Sequence, residues 1–245
     1  MGWLSTRSVA SVLVAVLIAS QAGGDTPLQF RFETRRSGEA SLIAGFSPSQ
    51  LALLEKINRT DAAHLAEGTR LVVPDEWLLD ERVYGPFPLD YVAARHEPQL
   101  LLVHLASQAF AAYESGTLIR WGPVSSGAKD SPTPAGTFVL EWRSTGHASS
   151  INPAWYMRWY FNFSQTRGLA FHEYTLPGRP ASHGCIRLLA RDARWLFEWG
   201  LPAGHAEGSR GTPVLILGRY DFSSGPPWLD EARFGVPLQL PDTVR

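Results

Sequence analysis

Two hydrophobic patterns follow one another along the chain. In the first, within residues 26–76, apolar positions predict a strand, two helices and a strand, at 30–34, 41–46, 48–58 and 70–73. Ser47 and Pro48 predict the start of the second helix, because serine caps free amides and proline is tolerated in the first turn. Gly68 predicts the turn into the last strand. The pattern therefore predicts a small β-α-α-β unit.

Closely spaced segments of strand character make up the second pattern. They are 100–105, 109–113, 117–121, 137–142, 168–174 and 213–217. Residues 114–116 predict a hairpin turn, and Gly200 ends a helix predicted over 188–199. The inward face of this helix consists of Leu189, Ala193, Leu196 and Phe197. This part of the chain is predicted to be a mainly β domain with one short helix.

A proline-containing segment separates the two patterns. Gly-Pro-Phe-Pro at 85–88 is typical of an extended connector and not of a helix or a central strand. We therefore predict a linker over 77–98 and a second domain over 99–219. Residues 220–245 are rich in proline and lack periodicity, which predicts a tail draped over the surface.

Composition and the N-terminus narrow the class of protein. The 245 residues are 44% hydrophobic with a net charge of −1, typical of a globular chain without a nucleic-acid partner. Arg7 precedes an apolar run over 9–19 that is short for a bilayer span, and small residues follow at Ser20 and Ala22. We predict a signal peptide over 1–22 and export to the periplasm or cell envelope, with an uncleaved anchor as the alternative.

Cys185 is the only cysteine, so no internal disulfide can form, and the thiol is either a small buried hydrophobe or a functional group. His172 and His183 lie near it in sequence, and Gly184 directly precedes it. Acyl transfer by cysteine uses such a set, because an imidazole raises the thiolate fraction and later protonates the leaving amine. Gly184 lets successive amides point at one spot and form an oxyanion hole.

Two alternatives compete for the histidines. Zinc would use the same residue types, but a fourth ligand and the paired spacing of structural sites are missing, so no metal is predicted. A core histidine is the ordinary interpretation of either imidazole alone. Their positions around the only cysteine disfavour it.

The motif SHGCIRL at 182–188 resembles the signature of the YkuD-type L,D-transpeptidases. Further similar segments lie at 126–127, 133–138, 168–172, 192 and 211–214. The resemblance implies a β-sandwich-like catalytic domain without a cofactor, with His172 as general base. It also implies an oxyanion hole made by the amides of His183, Gly184 and Cys185, and a substrate contact from Ser182. Arg187 would support the loop or bind the substrate carboxylate.

Two features of this motif region depart from the family pattern. The span from His172 to Ser182 is shorter than usual, and Arg187 replaces an asparagine found in some members. The shorter span predicts a trimmed loop over the active site, which bears on the acceptor more than on the chemistry. Tyr156 and Trp159, in an aromatic-rich stretch, are predicted to line a substrate groove, with ordinary packing as the alternative.

Residues 26–76 resemble a LysM module, a peptidoglycan-binding domain. Leu53 and the segments 57–59 and 68–74 carry the similarity, whereas 38–42 has one residue more than the usual motif. The resemblance implies a LysM-like β-α-α-β fold ahead of the catalytic domain. Because no catalytic residue type is singled out there, we expect removal of 26–74 to leave turnover of a soluble peptide unchanged.

The combined features predict an exported L,D-transpeptidase that forms a thioester on Cys185 and transfers the acyl group to an amine. Expected partners are peptidoglycan stem peptides and glycan, a wall-anchored protein as acceptor, and carbapenem-type inhibitors. An L,D-carboxypeptidase or detaching hydrolase, and a silent peptidoglycan-binding protein, are the alternatives. A papain-like peptidase is disfavoured because the base closely precedes the nucleophile.

Overall fold

A computed structural model describes residues 11–12, 28–149, 151–152, 154–236 and 238–244. Its N-terminal unit consists of β1 (Ser11–Val12), β2 (Phe30–Thr34), α1 (Pro48–Ile57), α2 (Ala62–Glu67) and β3 (Arg70–Pro74). The three strands form an antiparallel sheet in the order β1-β2-β3. Apart from residues 11–12, the predicted signal peptide lies outside the described residues.

The helices of this unit differ in part from the prediction. Ser47 caps α1 as expected, because its side chain accepts from the amide of Gln50 and the Gln50 side chain accepts in return from the amide of Ser47. The segment 41–46 forms turns instead of a helix. The second helix is α2, which the hydrophobic pattern did not predict and which Asp61 caps by accepting from the amide of His64. The order β-α-α-β holds, with a different pair of helices.

The second part of the chain forms a curled sheet, which confirms the mainly β fold class. Its strands are β4 (Leu100–His104), β5 (Ala109–Glu114), β6 (Thr117–Ser125), β7 (Gly136–Val139), β8 (Arg143–Ala148), β9 (Tyr156–Ser164), β10 (Leu169–Glu173), β11 (Ile186–Leu188) and β12 (Pro213–Leu217). Within the described residues these nine strands follow the order β7-β12-β4-β5-β6-β11-β10-β9-β8. The pairs β10–β11 and β12–β4 are parallel, and the remaining neighbours are antiparallel.

Local signals predicted some of these elements better than others. Ser115 and Gly116 have positive φ angles of 46° and 82°, as a tight hairpin turn requires. The helix α3 (Ala190–Trp199) begins two residues later than predicted and ends before Gly200. Strands β8, β9 and β11 were missed. The second half of β9 is buried on both faces, so it shows no alternation of polar and apolar residues.

One hydrophobic core joins the N-terminal unit to the sheet. Its buried side chains include Phe30, Phe32, Leu53, Ile57, Val72, Tyr84, Phe87, Tyr91, Leu100, Tyr113 and Trp121. The predicted linker supplies three of these aromatic rings and contains two short 3-10 helices, Glu81–Tyr84 and Val92–Ala94. It also binds the sheet, because Trp121 Nε1 donates to Glu81 O at 2.7 Å. The division of the chain at 77–98 stays a prediction, and the segment is packed and not extended.

The C-terminal tail adds to the same core from the surface. Phe234 contacts the rings of Phe30 and Phe32 at centroid distances of 4.8 and 5.6 Å. Tyr91 donates from its hydroxyl to Pro241 O at 2.6 Å, which anchors the last turns of the tail. Among the described helices, none is both long and apolar enough to cross a membrane.

The shared core changes the expectation that residues 26–74 can be removed without effect. We predict that Ile57→Ala, in α1, destabilises the whole chain and not only the N-terminal unit. The lost contacts and the cavity cost about 2 to 5 kcal/mol of unfolding free energy. Urea unfolding followed by tryptophan fluorescence and circular dichroism should show one shifted transition. Two transitions, with only the first shifted, would show that the units fold separately.

Candidate active site

The pairing of β10 with β11 brings the motif residues together. His172 lies opposite Arg187 in the parallel register, and Cys185 directly precedes β11. His172, Cys185 and Arg187 line one cavity of about 310 Å³. The same cavity is bordered by aromatic and polar side chains that include Trp142, His147, Trp155, Tyr160, Asn162 and Tyr174. The structure thus places the thiol of Cys185, the imidazole of His172 and the guanidinium of Arg187 around a single space, which His183 and Arg167 also border.

Cys185 lies in a largely apolar part of this cavity. Its side chain packs with Met157, Tyr160 and Ala170, and Sγ lies 3.8 Å from the carbonyl oxygen of Gly168. Burial raises the pKa of the Cys185 thiol, while the amide of Ala170 and the charge of Arg187 lower it by less. The resting group near neutral pH is therefore the protonated thiol.

His172 is 5% exposed and is held by its own strand. Its Nδ1 donates to the carbonyl oxygen of Glu173 at 3.0 Å. Since a carbonyl can only accept, this bond assigns the proton to Nδ1 and leaves the lone pair on Nε2. Burial lowers the pKa of His172 to about 4 against the raising effect of the hydrogen bond to Glu173, and the charge of Arg187 also lowers it. The imidazole is therefore neutral and able to accept a proton.

Two hydroxyl groups fix the loop that carries the thiol. Ser182 Oγ donates to Cys185 O at 2.5 Å and accepts from the amide of Gly184 at 3.1 Å. Thr133 Oγ1 donates to Gly184 O at 2.8 Å. Gly184 has a φ angle of 109°, and a Cβ there would lie 2.9 Å from Leu169 Cδ2, so this position requires glycine. Thr133 lies in the 133–138 segment, but its contact with the loop could not be predicted.

The loop geometry revises two sequence-based assignments. The amide of Gly184 is already bound by Ser182 Oγ, so it does not point freely into an oxyanion hole. Ser182 is 2% exposed, and its hydroxyl bonds within the loop, although the residue borders the cavity. We therefore assign Ser182 to the support of the loop instead of to substrate contact.

Arg187 has an aromatic neighbour and no acidic one. Its guanidinium lies 4.6 Å from the centroid of the Tyr174 ring. Burial lowers the pKa of Arg187, and no carboxylate of the described residues forms an ion pair with it. This half-buried cation is therefore available to an anion that enters the cavity.

The remaining predicted residues occupy different places. His183 is exposed, borders the same cavity and packs against Trp155 at a centroid distance of 5.2 Å, with the two rings tilted by 34°. Trp159 packs on Phe197 of α3 at 5.4 Å, outside the cavity lining, and Tyr156 is 63% exposed and also outside it. Trp155 and Tyr160 line the cavity in their stead.

The described residues contain no cluster of three or more His, Cys, Asp or Glu side chains that could hold a metal ion. Asp192, one of the motif-related positions, is buried in α3 and forms an ion pair with Arg120 of β6 at 2.7 Å. Its position indicates a structural role.

One protein-family model matches part of the chain, and several solved structures are similar to it. The sequence model described as the L,D-transpeptidase catalytic domain (YkuD) matches residues 98–216. The chain is similar to the L,D-transpeptidase (Yku) from Stackebrandtia nassauensis, with 22% identity over 51% of this chain and 58% of that chain, at a TM-score of 0.43. No curated protein matches it.

Two further solved structures are similar. The first is L,D-transpeptidase 1 from Mycobacterium tuberculosis, with 21% identity over 49% of this chain and 62% of that chain, at a TM-score of 0.38. The second is an L,D-transpeptidase from Xylanimonas cellulosilytica, with 23% identity over 71% of this chain and 81% of that chain, at 0.45. The chain covers less than two thirds of the Stackebrandtia and M. tuberculosis proteins.

Because His172 is buried in its neutral form, we predict that the folded protein loses stability in acid. The unfolded histidine binds a proton near pH 6.5, whereas the folded one does so only at about pH 4. Stability is therefore complete above pH 6.5 and falls as the pH drops towards 4, by about 2 to 3 kcal/mol from this group. Urea unfolding at pH 7 and pH 4.5 should show a smaller drop for His172→Gln than for wild type. Equal drops would contradict the buried neutral imidazole.

Proposed function

We propose that this chain is a peptidoglycan L,D-transpeptidase that acts through a thioester on Cys185. The observation that carries the proposal is the single cavity shared by the thiol of Cys185, the neutral imidazole of His172 and the unpaired cation of Arg187. The match of residues 98–216 to the L,D-transpeptidase catalytic domain supports the same class of reaction.

The proposed acylation begins with both Cys185 and His172 uncharged. Nε2 of His172 takes the thiol proton as Cys185 Sγ bonds to the carbonyl carbon of the diamino-acid residue in the stem peptide. The carbonyl oxygen becomes an oxyanion, which the amides of His183 and Cys185 hold. Collapse of this intermediate breaks the peptide bond, and the protonated His172 gives its proton to the departing amine of the terminal D-amino acid. A thioester remains on Cys185.

The second half-reaction returns the enzyme to its starting state. An amine of another stem peptide or of a wall-anchored protein attacks the thioester carbon, and His172 accepts a proton from that amine. The thiolate then leaves and is reprotonated by His172. Water in place of the amine gives a hydrolase with the same residues, and the products of turnover distinguish the two.

Arg187 is the residue that we assign to substrate binding. It faces the cavity without an acidic partner, and a guanidinium binds carboxylates in a planar, bidentate manner. A stem peptide offers such a carboxylate on its terminal residue, next to the bond that is cleaved. Binding of this carboxylate to Arg187 would also place the scissile carbonyl near Cys185.

We also propose that the protein is exported and that its N-terminal unit contacts the cell wall. The pattern over residues 1–22 supports export to the cell envelope, and the LysM-like pattern over 26–76 supports contact with the glycan. Leu53, Ile57 and Asn58, which carry that likeness, are buried, so any sugar would contact other, exposed side chains of the unit. A silent binding protein is the weaker candidate, because His172 and Cys185 still share one cavity.

We predict that incubation with a carbapenem adds the inhibitor mass to wild-type protein and none to Cys185→Ser. The serine hydroxyl is a far weaker acid than the thiol, so a neutral imidazole does not activate it sufficiently. Intact-protein mass spectrometry measures the adduct, and the same variant should release no D-amino acid from a tetrapeptide. An adduct on the serine variant would refute the role of Cys185.

His172→Ala should slow acylation by on the order of 10²-fold or more, the usual contribution of a general base. Stopped-flow measurement of carbapenem acylation gives the rate constant. His183→Ala is the matched control, because that ring is exposed and packs against Trp155 at the border of the cavity. A larger loss in the His183 variant than in the His172 variant would reverse the two roles.

A further inference from the structure

A single loop joins the predicted base to the thiol motif. It covers residues 174–181, between the end of β10 and Ser182, and is called the connecting loop here. It contains no helix or strand of its own, yet Leu176 at its centre is 0% exposed. Something outside the catalytic sheet therefore has to satisfy the backbone groups of this residue.

The N-terminal unit satisfies both of them. The amide of Asp61 donates to Leu176 O at 3.0 Å, and Thr60 Oγ1 donates to the same oxygen at 2.8 Å. In return the amide of Leu176 donates to Asp61 Oδ2 at 2.7 Å. Pro177 forms an isolated bridge with Thr60. The centre of the connecting loop is thus fastened to two consecutive residues that precede α2.

Asp61 is itself a fixed group. Its Oδ1 accepts from the amide of His64 at 3.0 Å and so caps α2, while Oδ2 binds the loop. Burial raises the pKa of Asp61, but the hydrogen bonds from His64 and Leu176 outweigh it and hold the pKa below its usual value. The carboxylate therefore stays charged and bonds both partners at once.

A second set of contacts connects the N-terminal unit to the helix that follows the thiol motif. Arg191 of α3 pairs with Glu55 of α1 and donates from Nη2 to Ala52 O at 2.9 Å. Glu55 also accepts from the amide of Ala62 at 2.8 Å, so it links α1 to the start of α2. The N-terminal helices consequently hold the chain on both sides of Cys185.

The contacts continue from Leu176 into the cavity. Two residues before it, Tyr174 donates from its amide to Leu188 O at 3.1 Å. Its ring meets the ring of His172 edge to face at 6.0 Å and lies beneath the guanidinium of Arg187 at 4.6 Å. A displacement of Leu176 would therefore move the wall against which His172 and Arg187 rest.

We propose that Thr60 and Asp61 are positioning residues of the Cys185 site. They hold the connecting loop, and through it Tyr174, against His172 and Arg187. The N-terminal unit is then a structural part of the active site as well as a candidate wall-binding module. The consequence for turnover rests on the proposed function, whereas the consequence for the reactivity of the thiol does not.

The test uses the full chain with Thr60→Val, which keeps the volume of the side chain and removes the donor to Leu176 O. Release of the loop admits water to the cavity, so the pKa of Cys185 falls towards its ordinary value. Alkylation by iodoacetamide should then reach half its maximal rate at a lower pH than in wild type. Carbapenem acylation should slow by about fivefold, the scale of one lost hydrogen bond.

Two further variants separate positioning from general stability. Thr60→Ser keeps the hydroxyl and should restore both readouts to wild-type values. Glu81→Gln is the matched control, because it removes the negative charge that pairs with Lys56 of α1 at 2.6 Å without touching the connecting loop. It should leave both readouts unchanged at temperatures well below unfolding.

Three results would overturn the proposal. They are a wild-type alkylation profile and acylation rate in Thr60→Val, failure of Thr60→Ser to restore them, and equal changes in Glu81→Gln. A wild-type protein that reacts with neither carbapenem nor tetrapeptide would instead refute the proposed function. The alkylation profiles would still decide whether Thr60 positions the thiol.

Discussion

The parallel pairing of β10 with β11 is the constraint on which the site depends. It places His172 and Arg187 in register and Cys185 at the entrance of β11. Parallel neighbours need a crossover of about a dozen residues or more, which is usually built around a helix. Here the crossover runs from the end of β10 to Cys185 without helix or strand. Contacts with other parts of the chain therefore have to fix its conformation. The carbonyl of Ser126 accepts from the amides of Ala181 and Ser182, Ser125 Oγ donates to Arg179 O, and the N-terminal unit holds Leu176.

Burial sets the electrostatics of the cavity. The same apolar surroundings raise the pKa of Cys185 and lower that of His172 to about 4, so the uncharged pair is the resting state. A thiol held in this form is a poor target for adventitious oxidation. In the proposed acyl transfer, this pair becomes charged only when the thiol proton moves to His172.

The sequence predicted what local chemistry determines. The cap at Ser47, the hairpin at Ser115 and Gly116, and the grouping of His172 with Cys185 all depend on a few neighbouring residues. The placement of Trp159 could not be predicted, because its backbone has a positive φ of 53°, which departs from the regular strand geometry that the alternation of side chains assumes. The shared core was missed for a different reason. Its members come from distant segments, and no periodicity links the rings of residues 84–91 to those of Phe30 or Trp121.

The hydroxyl of Thr133 shows how a backbone direction can be set from a distance. The carbonyl of Gly184 and the amide of Cys185 belong to one trans peptide plane, in which they point in opposite directions. Since Thr133 Oγ1 holds Gly184 O at 2.8 Å, the amide of Cys185 must point away from Thr133. Thr133 also accepts from the amide of Gly127 at 2.8 Å, so its own position is fixed by the chain that follows β6. In the proposed acyl transfer, the direction of one oxyanion donor therefore depends on the 126–133 segment. The motif around Cys185 gives no sign of this dependence.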